Sequence, residues 1–147
     1  MKKFKYSLEN VLQLKKFREE ECRMALGIAI SELNAIENKI KETAVKHHHA
    51  ASERLKDSSK MLVWSNYITR LEQETEKLLE EAALAEIAVE EKRTLYMEAF
   101  KEYKALEKLK EKKAKEFKKE NDKLESAEVD EIYAMRQIAE NRLNYMS

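Results

Sequence analysis

Three consecutive histidines, His47, His48 and His49, are the residues of this chain whose type best suits a metal ion. Their spacing does not suit one, because neighbouring residues of a helix point about 100° apart around its axis. Two histidines that share a metal ion on one helix normally lie four residues apart. We therefore expect an exposed or half-buried histidine run and no metal site.

The single cysteine, Cys22, falls on an apolar helical stripe and has no histidine near it in the sequence. A cysteine in this setting is expected to pack as a small hydrophobic residue rather than to act as a nucleophile. It has no partner for a disulfide within the chain, which favours a reducing compartment. The chain contains one Gly and no Gly-rich phosphate loop, CxxC or GxSxG motif, so we predict neither enzymatic activity nor a bound cofactor.

The longest regular segment of the chain, on which most candidate functional residues lie, runs from about residue 66 to residue 141. It contains neither Pro nor Gly. Its apolar residues recur at alternating steps of three and four, surrounded by glutamates and lysines, which predicts one long coiled-coil helix. Such a helix would be about 110 Å long, so its stripe needs a partner alongside it. The stripe consists of Ile68, Leu71, Leu78, Ala82, Ala85, Val89, Tyr96, Ala99, Tyr103, Leu106, Phe117, Leu124, Ala127, Ala134 and Ile138.

The first third of the chain supplies that partner. A second stripe, interrupted at Lys15, Glu19 and Thr43, predicts helix 1 at about residues 4–56. The cluster Asp57-Ser58-Ser59 predicts a turn within residues 57–66, and the apolar run 61–64 could fold over the end of the hairpin. The predicted fold is all-α. Two long helices form an antiparallel coiled-coil hairpin in one domain over residues 1–147, with helix 2 at about 67–141.

Helix 2 is predicted to be longer than helix 1 and to end in a C-terminal overhang. A pairing centred near residue 61 sets Leu8 opposite about residue 114, so that residues from about 120 onward extend past helix 1. This overhang still carries an apolar stripe, which implies an external partner, self-association or fraying. Its apolar residues are Leu124, Ala127, Ile132, Ala134, Met135 and Ile138.

Charge is sorted along the chain although 29 basic residues balance 29 acidic ones. Residues 72–91 are acidic, residues 101–119 are basic, and residues 120–131 are acidic again. The basic segment is expected to lie beside the basic residues 2–18, forming a positive collar. This collar is either a set of solvated helix faces or a docking surface for an acidic partner. The zero net charge gives no argument for binding nucleic acid.

An aromatic cluster is expected at the hairpin end, where Trp64, Tyr67 and Leu71 either pack on the turn or contact a partner. The first twenty residues lack the apolar run of a signal peptide, and no run of apolar residues is long enough to cross a bilayer. These features predict a soluble cytoplasmic protein.

Three segments resemble the flagellar export protein family FliJ. They are FKYSLENVL at residues 4–12, ALEKLKEKK at residues 105–113 followed by Phe117, and Val129-Asp130-Glu131 followed by Arg136. The order, spacing and chain length also fit that family. The resemblance implies a two-helix antiparallel coiled coil of the type III export apparatus, similar to the central stalk subunit of rotary ATPases.

The resemblance further implies three partners: the ring of the flagellar export ATPase, the cytoplasmic domain of the export gate protein, and export chaperones. Any membrane association is then peripheral and only through the export apparatus. The alternative is a generic structural coiled coil that self-associates through its overhang. The residues expected to bind the gate are Tyr67, Leu71, Glu74 and Leu78, and those expected to bind the ring are Lys108, Lys112, Lys115, Leu124, Asp130 and Glu131.

Overall fold

The computed structural model describes residues 2–146, which form two long helices joined by a short connection. Helix α1 spans Glu9–Lys56 and helix α2 spans Met61–Met146. No strand occurs between residues 2 and 146, so the predicted all-α hairpin is confirmed. Over the same residues, neither helix contains a stretch that is both long and apolar enough to cross a bilayer.

The connection is one 3-10 turn, Ser58–Lys60, capped by Asp57. Asp57 has an extended backbone, and its Oδ1 accepts hydrogen bonds from the Ser59 hydroxyl at 2.7 Å and the Ser59 backbone N–H at 3.0 Å. The hydroxyl bond and then the backbone bond hold the pKa of Asp57 below its ordinary value. Because one capped turn is enough to reverse the chain, α2 begins at Met61 rather than near residue 67.

The start of α1 also differs from the sequence prediction, since the helix begins at Glu9 and not near Phe4. Residues 2–6 are not helical; instead, this segment contacts α2. The Phe4 ring lies 5.6 Å from the Phe117 ring between centroids, and the Tyr6 hydroxyl donates a hydrogen bond to the Leu106 carbonyl at 3.4 Å. These contacts between residues far apart in sequence take the place of a first helical turn.

The chain divides into two compact units, and α1 and α2 both contribute to each. Unit 1 comprises residues 2–15 and 102–146, and unit 2 comprises residues 16–101. In unit 1, ion pairs of 2.8 Å join Lys15 to Glu102 and Glu9 to Lys110. The second pair sets the antiparallel register about one helical turn away from the expected opposition of Leu8 and residue 114.

The core is the seam between the two helices. Each of the six buried residues of α2 belongs to the predicted stripe: Ile68, Leu71, Leu78, Ala82, Val89 and Ala99. On α1 the seam contains Leu12, Ala29 and Ala50, and also the two polar residues Glu19 and Thr43. The Thr43 hydroxyl donates to the Lys39 carbonyl at 2.8 Å, so this interruption of the stripe stays buried without an unsatisfied donor.

Candidate functional site

The C-terminal part of α2 exposes its apolar stripe. Every residue from 122 to 146 is exposed, and we call this segment the overhang. It presents Leu124, Val129, Ile132, Tyr133, Met135, Ile138, Leu143, Tyr145 and Met146 to solvent. Scattered exposed hydrophobic residues are ordinary, but a continuous apolar stripe along a helix marks an interaction surface.

The residues expected to bind an ATPase ring are all accessible. Lys108, Lys112 and Lys115 are exposed on the basic segment of unit 1, and Leu124, Asp130 and Glu131 are exposed on the overhang. Repulsion within the basic segment is reduced by the acidic residues placed in and beside it, because Glu9 pairs with Lys110 and Glu102 pairs with Lys15. The three exposed lysines thus remain available on a surface whose neighbouring charges are partly balanced.

The residues expected to bind the export gate do not share one accessible surface. Leu71 and Leu78 are only 3% and 7% exposed, because their place on the stripe puts them in the seam. Tyr67 is half-buried and Glu74 is exposed. A partner that binds unit 2 with its helices paired therefore contacts Tyr67 and Glu74 but not the two leucines.

An aromatic and cationic cluster lies close to the connection in unit 2. The Trp64 ring meets His49 and Tyr67 edge-on, with centroids 6.2 and 6.1 Å apart, and the Arg70 guanidinium lies 5.8 Å from the Tyr67 ring centroid. Trp64 and Tyr67 also pack on the core formed by Ala50, Ile68 and Leu71. The two aromatic residues therefore pack on the seam close to the connection, and both also line an open groove of about 320 Å³.

The first three residues of the apolar run at the start of α2 do not fold over the hairpin end, although the sequence had allowed it. Met61, Leu62 and Val63 are 50%, 74% and 69% exposed, and Leu55 at the end of α1 is 83% exposed. Because α2 is already helical at Met61, these side chains point in different directions around its axis, and Trp64 is the residue of the run that packs on the seam. Sequence reasoning identified the run but missed its exposure.

The residues with the most metal-like and nucleophilic chemistry lie apart from one another. His47 Nε2 is 3.4 Å from Glu72 Oε1, whereas His49 faces Trp64. Cys22 is half-buried on α1. Among residues 2–146, no group of three or more His, Cys, Asp or Glu side chains is arranged to hold a metal ion.

Comparison with known proteins identifies a family for this chain. The family model described as flagellar FliJ protein matches residues 4–142, which is nearly the whole chain. No curated protein and no solved structure matches. The matched range includes α1, the connection and α2 up to residue 142, and therefore most of the overhang.

Proposed function

From the premise that this chain belongs to the flagellar FliJ protein family, whose members are non-catalytic components of the flagellar export apparatus, we propose a stalk-like role for it. In this proposal the overhang inserts into the ring of the export ATPase, and unit 2 contacts the cytoplasmic domain of the export gate. The protein works in the cytoplasm, at the inner face of the membrane, and also escorts export chaperones.

The observation that carries this proposal is the exposed apolar stripe of residues 122–146 on a continuous helix. A single helix cannot bury such a stripe by itself, so a surrounding partner gains the free energy of covering it. Full burial of a leucine or isoleucine side chain contributes on the order of 1.5–3 kcal/mol. Three or four such side chains supply a binding energy suited to a helix held within an oligomeric ring.

Charge supports the same assignment. The basic residues 101–119 precede the acidic residues 120–131 on α2, so a ring that receives this helix meets two zones of opposite sign. Lys108, Lys112 and Lys115 would pair with acidic groups of the ring, and Asp130 and Glu131 with basic ones. Such pairs fix the depth to which the helix enters, because a shift along the axis brings like charges together.

The decisive experiment measures stimulation of the export ATPase by the purified chain. Replacing Leu124, Ile132 and Ile138 together with glutamine removes the centre of the exposed stripe without changing any charge. We expect the stimulation to be lost while the helical content and the unfolding temperature stay unchanged, because the three side chains are exposed. If this variant stimulates the ATPase as well as the native chain does, the overhang is not the ring-binding element.

A matched control lies on unit 2, where Leu84 and Ile87 are also large, exposed and apolar. Replacing both with glutamine should leave the stimulation unchanged. This control separates the loss of a particular surface from a general loss of exposed apolar area.

The same stripe supports a second candidate function, a structural coiled coil that self-associates through the overhang. Light scattering over a wide range of protein concentration distinguishes the two. Self-association would be favoured if the mass of the native chain rises with concentration while the triple glutamine variant stays monomeric. A monomer at every concentration favours the stalk.

A further inference from the structure

The hairpin end of unit 2 carries a cluster of exposed apolar side chains that neither proposed partner surface uses. Leu55 closes α1, and Met61, Leu62 and Val63 open α2, so that they flank the same short connection. All four are at least half exposed. Keeping four large apolar side chains in water around one turn is unfavourable unless something covers them.

Positive charge surrounds this cluster. Between residues 54 and 71 the chain has four basic residues, Arg54, Lys56, Lys60 and Arg70, and one acidic residue, Asp57. Lys56 pairs with Glu53 at 3.3 Å, and the charge of Lys60 helps to lower the pKa of Asp57. The four basic residues still outnumber the two acids, Glu53 and Asp57, next to the connection. The local excess of positive charge contrasts with the zero net charge of the whole chain. The partner that covers this apolar cluster is therefore expected to be anionic as well as apolar.

The directions of the side chains favour a fluid surface over a protein groove. Residues 61, 62 and 63 follow one another on a helix, so they point about 100° apart around its axis. A protein groove normally takes one face of a helix, through residues spaced three and four apart. A lipid interface closes around an apolar end from all sides, and anionic headgroups then lie beside the basic residues.

We propose that this hairpin end inserts shallowly into the interfacial region of an anionic membrane. Leu55, Leu62 and Val63 are the apolar anchors, and Arg54 and Lys60 contact the acidic headgroups. Trp64 is half-buried and lines one groove with Val63, so insertion of Val63 would bring the indole to the interfacial region where the aromatic rings of membrane-bound proteins collect. The membrane contact is direct and does not pass through another component of the export apparatus.

Vesicle binding tests this proposal with the full chain. The probes are vesicles of phosphatidylcholine and phosphatidylglycerol in equal parts, and vesicles of phosphatidylcholine alone. We expect the chain to sediment with the anionic vesicles, and less so as salt is raised. Trp64 is the single tryptophan, so a shift of its emission to shorter wavelength reports insertion at this end and nowhere else.

Two variants dissect the contact. Replacing Leu62 and Val63 with glutamine should weaken binding about tenfold or more, because most of the apolar area that inserts is lost. Replacing Arg54 and Lys60 with glutamine should cost about fivefold for each residue on anionic vesicles. The control, Leu84 and Ile87 replaced with glutamine, removes equally exposed apolar residues from an acidic segment and should bind as the native chain does.

Three results would overturn the proposal: no binding of the native chain to anionic vesicles, unchanged binding of the Leu62 and Val63 variant, or sedimentation without a shift in the Trp64 emission. If the Leu62 and Val63 variant instead loses only its binding to the purified gate domain, the cluster is a protein-docking surface and the membrane assignment fails. The vesicle assay itself contains neither export ATPase nor gate protein, so its outcome is independent of the stalk proposal.

Discussion

The Lys110 ammonium lies 2.8 Å from the Glu9 carboxylate and ties the first turn of α1 to α2 within unit 1. Gln13 donates a second hydrogen bond to the same carboxylate at 3.0 Å. Lys110 and then Gln13 hold the pKa of Glu9 below its ordinary value. A lowered pKa in the folded chain means that the ionised carboxylate stabilises the fold. This contribution is complete above the ordinary pKa of a glutamate and is lost as the pH falls through the lowered one.

Replacing Glu9 with glutamine should therefore lower the unfolding temperature slightly at neutral pH and have little effect at acid pH, where the native carboxylate is itself protonated. The effect at neutral pH should be small and weaken with added salt, because the side chains of Lys110 and Glu9 are 38% and 40% exposed. Thermal unfolding followed by circular dichroism at several pH values measures it. A destabilisation that persists unchanged at acid pH would mean that the charge of Glu9 is unimportant. Lys108, which is exposed on α2 two residues before Lys110, provides the control when replaced with glutamine.

Replacing Gly27 with alanine should stabilise the chain by roughly 0.5–1 kcal/mol. Gly27 lies inside α1 with an ordinary helical backbone, and a Cβ added to it meets no atom within 4 Å. The substitution therefore restricts the unfolded chain without creating a clash. Urea unfolding measures the gain, and the reverse substitution at the exposed helical residue Ala35, to glycine, should cost a similar amount. A loss of stability on replacing Gly27 would show that another interaction depends on this position.

Replacing Glu19 with methionine should also stabilise the chain, by about 1 kcal/mol or more. Glu19 is only 7% exposed in the seam, and its ion pair with Arg23 is long, at 3.9 Å. A methionine of similar length removes the cost of keeping a carboxylate away from water. The exposed neighbour Glu21, replaced in the same way, is the control and should change stability little. Equal effects at the two positions would contradict the argument from burial.

The gate-binding proposal is best tested at the residues that a partner can reach. Replacing Tyr67 with serine and Glu74 with lysine should weaken binding to the gate domain with modest effects on stability. Replacing Leu71 with alanine should instead cost about 2–5 kcal/mol of folding free energy, because Leu71 is buried against Ala50 and Ile68. Gate binding measured alongside unfolding separates the two effects. Full binding by the Tyr67 and Glu74 variant would remove unit 2 from the gate interface.

Reversing the charge of Lys108, Lys112 and Lys115 to glutamate should weaken binding to the ATPase ring, mainly by slowing association, and the loss should shrink as salt is raised. Binding kinetics at two salt concentrations measure this. Reversing Lys39, Lys41 and Lys46 on α1 makes the same change in net charge within unit 2 and should leave ring binding intact. If both triple variants bind equally, the basic segment is a solvated face and not a docking surface.

The sequence alone determined the helices and the stripe. A chain without Pro, with heptad spacing and one cluster of turn residues, has few options besides a helical hairpin, and the buried residues of α2 are the ones that this spacing selects. The capping role of Asp57 follows from local chemistry in the same way, because its hydrogen bonds involve a residue two positions away. The longer second helix also follows, since the stripe continues well beyond the length of helix 1.

Only the tertiary structure decided the register and the exposure of particular side chains. A heptad pattern matches itself nearly as well after a shift of one turn, so the pairing of Glu9 with Lys110 depended on contacts between residues distant in the chain. Contacts with α2 also hold Phe4 outside α1, and pairing with α1 covers Leu71 and Leu78 but leaves Leu62 and Val63 exposed. The periodicity of a helix shows which of its residues share one face. Which of those residues are covered depends on the partner helix and its register, and the periodicity of one helix does not determine either.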